Sequence, residues 1–333
     1  MPPPSYMRPR SLGVGISDAS QVGEARRLTG RLSSEAGFDE TLAGQVAIVT
    51  TELANNLLRH AGGGELLVRR LNGQPDGLEV VALDRGPGIA DVGRALEDGH
   101  SSRGTPGNGM GAVRRLASLF EVFTGSGGTA VLAQFWPGGP PDEMLHGAVN
   151  LAMHGETECG DAWLLESSAE ATRLLVVDGL GHGPQAHEAA RVVCNAVGPA
   201  RANGPAAALE DAHLAARATR GAAAALVDVR KDCTGLRFAG VGNVTAVAAG
   251  PNGQSLVSMN GTLGQGIVKP REFSYRTGGG LLVMCSDGLA TRWSLDAYPG
   301  LAARHPSLVA AVLYRDFWRK RDDVTVLAAR LGC

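Results

Sequence analysis

The spacing of apolar and polar positions divides the chain into two parts with different predicted elements. In the first part we predict a strand at 10–16 and helices over 18–36 and 39–61. In the second of these helices apolar residues recur at helical spacing and give it one buried stripe. Two strands, "GELLVRRL" and "GLEVVALD", come next, followed by a glycine-rich stretch (99–109). A short helix and the strands "FEVFTG" and "GTAVLAQFW" complete this part.

The segment "PGGPPD" at 137–142 interrupts every periodic pattern and predicts a linker. Beyond it the chain is mostly strands, predicted at 147–154, 161–167, 172–178, 222–230, 235–248, 255–259, 272–277 and 280–286. Helical patterns lie between these strands at about 184–199, 205–219 and 307–319, and "DDVTVLAARL" predicts a last strand. No internal repeat is visible.

Length and composition favour a protein of two globular domains. A chain of 333 residues exceeds one ordinary core, so we predict a flexible tail (1–9), a first domain (10–137), a linker (138–142) and a second domain (143–333). Lys and Arg number 31 against 33 Asp and Glu, a balance that argues against nucleic acid or an anionic membrane as partner. Five cysteines without paired spacing, and no apolar leader or membrane-spanning segment, predict a cytoplasmic protein.

Acidic residues stand at the ends of apolar runs in the second part. They are Asp161 in "CGDAW", Asp178 in "VVDGLGHG", Asp287 in "CSDGL", and Asp322 and Asp323 in "KRDDVTVL". Clustered carboxylates repel one another unless a cation lies between them, and oxygen ligands alone select Mg²⁺ or Mn²⁺. Glycine after Asp178 and Asp287 predicts close passage of the backbone past an ion. The alternative is a set of unrelated turns, since Asp-Gly is a common turn dipeptide.

In their order, "GDAWLL", "LLVVDGLGHG", "LRFAGVGN", "LLVMCSDGL" and "RDDVTVL" resemble the bacterial metal-dependent serine/threonine phosphatases of the SpoIIE and RsbX type, in the PPM superfamily. The resemblance implies an α-β-β-α sandwich that binds a pair of Mn²⁺ or Mg²⁺ ions. It implies that Asp178 bridges both metals as the central catalytic ligand, with the Gly179 carbonyl on one. Asp287 and Asp322 then complete the second site, and Asp161 holds metal-bound water.

This sequence departs from many eukaryotic members of that superfamily directly after the Asp-Gly pair. Where those members have His, this chain has Leu180, and His182 lies two residues further on. A structural or solvent-exposed role is the interpretation we favour for His182. The proton donor of the phosphatase is left unassigned.

Three motifs of the first part predict a nucleotide pocket. "TTELANNLLRHA" places Glu52, Asn56 and His60 on one side of a helix, and "LDRGPGI" places Asp84 at a strand end. "SSRGTPGNGMGAVRRL" then gives a glycine-rich loop that opens a helix, where free backbone N–H groups can bind phosphates. A solvated helix edge would explain any one of these residues, but not the ordered set.

These motifs resemble the GHKL ATPase and kinase superfamily, with the RsbT-type serine kinases of bacterial stress signalling as the nearest branch. The resemblance implies a GHKL (Bergerat) α/β sandwich in which Asn56 binds the Mg²⁺ of ATP and Asp84 accepts a hydrogen bond from the adenine amino group. Glu52 is implied as the general base, and Thr129 as a support for the adenine. The residues implied to shape the pocket and its lid are Gly86, Gly88, Gly107, Gly109 and Gly111.

Two further residues of this part have competing interpretations. Arg103, in the glycine-rich lid, either contacts the γ-phosphate or is a solvated loop residue, while His60 is expected to be structural. No separate domain carries a phosphoacceptor histidine, which disfavours a two-component histidine kinase.

Together the resemblances imply an α/β (α+β) chain that joins a kinase to an opposed phosphatase, both acting on Ser or Thr of a STAS-domain regulatory protein. In the rival hypothesis the first domain binds ATP and a partner without transferring phosphate. A third hypothesis, that both domains are scaffolds, is disfavoured because the expected metal and nucleotide residues are present.

Overall fold

The computed structural model describes residues 6–72, 76–97, 109–140, 144–198, 204–232, 234–250 and 253–331. The chain divides into two compact units, Ser11–Asp142 and Glu143–Cys333, and the second unit also includes Met1–Arg10. Each unit has its own hydrophobic core.

The first domain is one antiparallel sheet with helices packed on one face. Its strands, in the sheet order β1-β2-β3-β5-β4, are β1 (Leu12–Ile16), β2 (Gly64–Leu71), β3 (Gly77–Leu83), β4 (Leu119–Gly125) and β5 (Gly128–Phe135). Its helices are α1 (Ala19–Glu35), α2 (Glu40–Asn56), the short α3 (Val92–Ala95) and α4 (Gly109–Leu116). Alternate strand residues such as Val68 and Val80 pack beneath Val46 and Leu53 of α2. The predicted order of elements is confirmed, apart from the short α3, which was not predicted.

The helix predicted over 39–61 changes its geometry before it ends. It remains α-helical to Asn56, and Leu57–Ala61 then form one π-helical turn. Gly62 closes this turn at φ 73°, a backbone region that favours glycine. Single π turns are rare and are frequent at functional sites.

The second domain consists of two stacked five-stranded antiparallel sheets with helices on both outer faces. Sheet I, in the order β13-β10-β9-β8-β7, contains β7 (Asp161–Ser167), β8 (Ala171–Gly179), β9 (Ala222–Arg230), β10 (Gly235–Val241) and β13 (Phe273–Arg276). Sheet II, in the order β12-β11-β14-β15-β6, contains β6 (His146–Leu151), β11 (Thr245–Ala249), β12 (Gln254–Leu256), β14 (Gly280–Cys285) and β15 (Val324–Leu331).

The helices of this domain cover the two outer faces, which confirms the predicted α-β-β-α sandwich. Helices α5 (Pro184–Val197) and α6 (Pro205–Ala215) pack on sheet I, and α7 (Pro306–Phe317) packs on β6 and β15 of sheet II. Between the sheets lies a core that includes Trp163, Phe238 and Met284. Burial of large apolar side chains in this layer is the main force that holds the sheets together.

The strand predicted over 235–248 is wrong in one respect, because two strands of different sheets occupy that range. β10 ends at Val241 in sheet I, and β11 begins at Thr245 in sheet II. Gly242 makes the turn at φ 92°, and a Cβ there would lie 2.5 Å from the Cβ of Ala223. The apolar run continues across this turn because both strands are buried, so periodicity alone could not show the break.

Residues 6–10, here called the N-terminal strap, also differ from the predicted flexible tail. The backbone N–H of Arg8 donates to the Trp163 carbonyl at 3.0 Å, on the free edge of β7. The Arg8 side chain donates to the Leu165 carbonyl, and Tyr6 and Met7 pack against the core beneath α5 and α6. The strap therefore belongs to the second domain, although its sequence carries no periodic pattern.

Among the residues that the structure describes, no helix combines the length and the apolar composition needed to cross a membrane.

Candidate active sites: an acidic cluster and a nucleotide pocket

Five aspartates of the second domain, here called the acidic cluster, stand at strand ends of the two sheets. Asp161 begins β7 and lies directly opposite Asp178, near the end of β8. Asp287 follows β14, while Asp322 and Asp323 immediately precede β15, the neighbour of β14. The order of strands thus brings together residues that are far apart in sequence.

Burial and mutual repulsion raise the pKa values within the acidic cluster. Burial, followed by the charge of Asp178, raises the pKa of Asp161 well above its usual range. Burial, followed by the charges of Asp287 and Asp322, raises the pKa of Asp178 to about 7. The pKa values of Asp322 and Asp323 are also raised, in both cases chiefly by burial. Such carboxylates favour either a proton or a nearby cation.

Hydrogen bonds fix the acidic cluster in place and leave one carboxylate oxygen unsatisfied. Asp323 accepts from the backbone N–H groups of Met153 and Gly160, at 2.7 and 2.8 Å. Asn243 donates to Asp287 at 2.7 Å. The Oδ2 atom of Asp161 is buried and has no hydrogen-bond partner among the described residues. A buried oxygen without a partner is costly unless a water or ion approaches it.

The donor set of the acidic cluster fits hard divalent ions. It offers carboxylate and backbone oxygens, which Mg²⁺ and Mn²⁺ prefer. Among the described residues, no three acidic, His or Cys side chains already close around one point. Repulsion from neighbouring aspartates adds to burial in raising the pKa values of Asp161 and Asp178, and bound cations would relieve that repulsion.

The glycines after Asp178 and Asp287 have a packing role that the sequence did not indicate. A Cβ on Gly288 would lie 1.9 Å from the carbonyl oxygen of Asp323, and one on Gly179 would lie 2.3 Å from the carbonyl oxygen of Ala186. Gly288 thus lets its backbone approach that of Asp323 in the acidic cluster, and Gly179 lets the end of β8 approach α5.

His182 lies at the rim of the acidic cluster. Its Nδ1 atom is 2.6 Å from Oε1 of Glu156, and the ring is about half exposed. Its positive charge, when present, acts to lower the pKa values of Asp322 and Asp323. His182 is therefore partly exposed, as expected, and is oriented by a carboxylate.

In the first domain, the two polar residues of the predicted Glu-x-x-x-Asn motif lie one turn apart on α2, and the start of α4 packs over them. Glu52 and Asn56 occupy the last turns of α2, just before the π-helical turn. A Cβ on Gly109, the first residue of α4, would lie 3.0 Å from the Glu52 carboxylate and 3.6 Å from the Asn56 side-chain oxygen. The start of α4 therefore lies over both side chains.

Asp84 is oriented by two backbone N–H groups. Its Oδ1 atom accepts from Gly86 at 2.8 Å and from Thr129 at 3.0 Å. The hydroxyls of Thr129 and Thr124 are 3.1 Å apart, and Thr124 also accepts from the N–H of Ile89. These bonds join the end of β3 to the hairpin of β4 and β5.

Close packing explains the glycines that follow Asp84. Gly88, at φ 79°, has no room for a Cβ beside the carbonyl oxygen of Gly125, and a Cβ on Gly86 would lie 2.9 Å from that of Ala61 in the π-helical turn. Gly111 is buried in α4. Gly107 and Arg103 lie outside the described residues. His60 is exposed on the π-helical turn.

Several supporting residues were not singled out from the sequence. Asn243 ends the quoted motif "LRFAGVGN" and donates to Asp287, and this motif was the one signal that could have identified it. Asn150 donates to the backbone carbonyl of Asp161 and to the hydroxyl of Thr325, across the domain. Thr124 accepts a hydrogen bond from the Ile89 N–H, and Glu156 contacts His182, so these two side chains also orient residues distant in sequence.

A groove of about 530 Å³ adjoins Asn243, the partner of Asp287. Its walls come from β11, β12 and the segment 291–296, and they include Thr245, Ser255 and Trp293. Hydroxyl, amide and aromatic groups thus line the surface beside the acidic cluster.

The first domain is similar to a known family and to a characterised relative. Residues 16–135 match the family described as the histidine kinase-like ATPase domain. The serine/threonine-protein kinase RsbT of Bacillus subtilis (strain 168) is 33% identical over 125 residues, which are 37% of this chain and 94% of that protein.

Solved structures resemble the remaining part of the chain. One solved chain comes from a structure described as "The bacterial stressosome: a modular system that has been adapted to control secondary messenger signaling". It is 26% identical to this chain, with a TM-score of 0.53. The match covers 57% of this chain and all of that one. RsbX in complex with magnesium is 18% identical with a TM-score of 0.50, over 64% of this chain and all of RsbX, a likeness that shows the fold alone. The chain therefore belongs, through its first domain, to the RsbT-type histidine kinase-like ATPases, and its second domain has the fold of RsbX.

Proposed function

We propose that the chain is a bifunctional signalling regulator that phosphorylates and dephosphorylates Ser or Thr on a STAS-domain partner protein. The observation that carries the proposal is the acidic cluster, with its raised pKa values and the unsatisfied Oδ2 of Asp161. The start of α4 over Glu52 and Asn56 supports the opposed activity in the first domain.

In the second domain, Asp178 would hold both of two divalent ions, with Asp287 and Asp322 on one of them and Asp161 orienting water. When bound, such ions supply Lewis acidity and activate water toward a phosphate ester. Asn243 keeps the Asp287 carboxylate aligned, and the backbone N–H groups that bond Asp323 fix the segment before Asp161.

In the first domain, Asp84 would accept the hydrogen bond of the adenine amino group, since the N–H groups of Gly86 and Thr129 already hold its carboxylate. Asn56 would bind the Mg²⁺ that accompanies ATP. Glu52 would take the proton of the attacking hydroxyl as general base.

The phosphatase assignment is tested by incubating the full chain with phosphorylated STAS-domain protein and Mn²⁺ or Mg²⁺, and following phosphate by mass spectrometry. Asp178→Asn removes an anionic ligand with little change in volume, so hydrolysis should fall by at least about a hundredfold. Asp211→Asn, an exposed position on α6, is the matched control and should keep wild-type turnover. Wild-type turnover by Asp178→Asn would refute the metal assignment.

The kinase assignment is tested with unphosphorylated partner and ATP. Glu52→Ala should bind ATP with nearly unchanged affinity but lose phosphotransfer, because the general base is absent. Asp84→Asn should weaken ATP binding by roughly 1.5–3 kcal/mol in calorimetry, the usual effect of losing a charged hydrogen bond. If the wild-type chain binds ATP but never transfers phosphate, the alternative holds, and the first domain is a non-catalytic regulatory module.

A further inference from the structure

The turn that contains Arg220 is fixed against the loop that follows Asp178. Gly179 pairs with Ala222 in the register of β8 and β9, and the Leu180 N–H donates to the Gly221 carbonyl at 3.0 Å. The Gln265 side chain donates to the Arg220 carbonyl at 2.7 Å. The backbone of Arg220 is therefore held in place from two sides.

The Arg220 guanidinium lies directly on this loop. Its Nη1 atom is 3.0 Å from the position that a Cβ on Gly181 would occupy, and Gly181 has φ 84°. Gly181 is two residues beyond Gly179 and three beyond Asp178. The positive charge thus lies beside the segment that supplies the central residue of the acidic cluster.

Arg220 is exposed and is not used in an ion pair within the described part of the chain. No carboxylate of those residues lies within 4.0 Å of its guanidinium. Other arginines of the same domain do have such partners, namely Arg173, Arg191, Arg230, Arg237 and Arg315. The guanidinium of Arg220 is therefore available to an anion from outside the protein.

The charge of the acidic cluster gives that arginine a chemical role. Five carboxylates outweigh two divalent cations even before a phosphate ester adds two further negative charges. A guanidinium offers two parallel N–H donors that match two phosphate oxygens, and it stays charged at any physiological pH. We propose that Arg220 is a substrate-binding residue that holds the phosphate group of the phosphoserine or phosphothreonine at the acidic cluster. This inference rests on the proposed phosphatase function of the same site.

The test compares Arg220→Gln and Arg220→Lys with Arg217→Gln, an exposed arginine on the adjoining 3₁₀ turn (Ala216–Ala218). Two measurements are made on the full chain with Mn²⁺: steady-state kinetics, which give KM and kcat for a phosphopeptide, and calorimetry, which gives the Kd of inorganic phosphate. Arg220→Gln should raise both KM and Kd about tenfold or more, with a much smaller change in kcat. Arg220→Lys should lie between, because it keeps the charge and loses the paired donors, and Arg217→Gln should match wild type.

The readouts separate failure of this inference from failure of the proposed function. Unchanged KM and phosphate Kd in Arg220→Gln would overturn the role of Arg220, even if the wild type is an active phosphatase. An altered concentration dependence on Mn²⁺ with unchanged phosphate affinity would also overturn it, by showing that Arg220 supports the metal centre instead. If the wild type hydrolyses no phosphopeptide, the proposed function fails, and the phosphate Kd still decides whether Arg220 binds phosphate. Should Arg220→Gln fail to fold, Arg220→Lys decides by the same two measurements.

Discussion

Asp178 lies near the end of a buried strand, where its own burial and the charges of Asp287 and Asp322 raise its pKa to about 7. In an unfolded chain the same carboxyl has a pKa near 4. Folding without a cation therefore favours the protonated form. The resulting contribution to stability is fully present below the unfolded pKa, and it is lost as the pH rises through about 7.

We expect the metal-free second domain to become less stable as the pH rises from 5 to 8. Asp178 alone should lower its free energy of unfolding by no more than about 4 kcal/mol over the full titration. Urea titrations in a chelator, followed by tryptophan fluorescence, can measure this, because Trp163, Trp293 and Trp318 all belong to that domain. Asp178→Asn should flatten the pH dependence, and Asp211→Asn should not. A pH-independent wild type would contradict the prediction.

At the residue scale, the order of motifs in the sequence predicted the candidate site residues. The contacts that these residues make could not be predicted in this way. Asp161, Asp178 and Asp287 could be predicted because each ends or begins an apolar run next to glycine. Asn150 could not, since its role comes from a hydrogen bond between the two sheets, and Arg220 could not, since its guanidinium packs on the loop that follows β8. Such long-range partners leave no local pattern.

At the scale of elements, the hairpin of β4 and β5 shows how a turn can shape a binding pocket. Gly128 begins β5 at φ 115°, and a Cβ there would lie 2.1 Å from the carbonyl oxygen of Asp84. Gly125, at the other end of the same turn, has open space around its Cβ position and no positive φ. A Cβ can therefore be accommodated at Gly125 but not at Gly128, although both glycines lie in the same turn.

We expect Gly128→Ala to disturb the end of β3 and weaken nucleotide binding. The substitution should lower the free energy of unfolding of the first domain by about 2 kcal/mol or more, because it adds both a strained φ and a clash. Gly125→Ala is the matched control and should stay close to wild type in both properties. ATP affinity by calorimetry and thermal unfolding measure the two effects. Equal behaviour of the two variants would refute the packing role of Gly128.

Most elements could be predicted from periodicity, and the errors have physical causes. The strand pattern over 235–248 was continuous because β10 and β11 are both buried, so only Gly242 marked the turn between sheets. The helix predicted over 39–61 kept its apolar spacing as far as Leu57, the first residue of the π-helical turn, so periodicity did not show the change of geometry. In each case tertiary packing overrode the local signal.

At the scale of the whole molecule, the N-terminal strap links the first residues of the sequence to the second domain. Tyr6 packs so closely on α5 that a Cβ on Gly198 would lie 2.3 Å from its ring. The Tyr6 N–H donates to Asn195, and Arg10 donates to the carbonyl of Thr157, just before Cys159 and Asp161. The first domain is thus inserted, in sequence, between two pieces of the second.

We expect Tyr6→Ala to destabilise the second domain by about 1–3 kcal/mol, the usual range for truncation of a partly buried aromatic ring. Tyr6→Phe keeps the ring and the backbone hydrogen bond, so it should match wild type. Hydrogen exchange on the full chain should show faster exchange at β7 and at the end of α5 in Tyr6→Ala, with the first domain unchanged. Unchanged protection of β7 would show that the strap is not part of that domain.

The strap has a consequence for synthesis on the ribosome. Residues 6–10 emerge before any part of their docking site, since Trp163 and Leu165 follow about 150 residues later and Gly198 about 190 later. At ordinary rates of translation the strap waits roughly 10–40 s, while the whole first domain becomes available to fold. Tyr6 and Met7 stay uncovered during this interval. The strap therefore docks only after the whole first domain has been made, because β7 and α5 follow that domain in the chain.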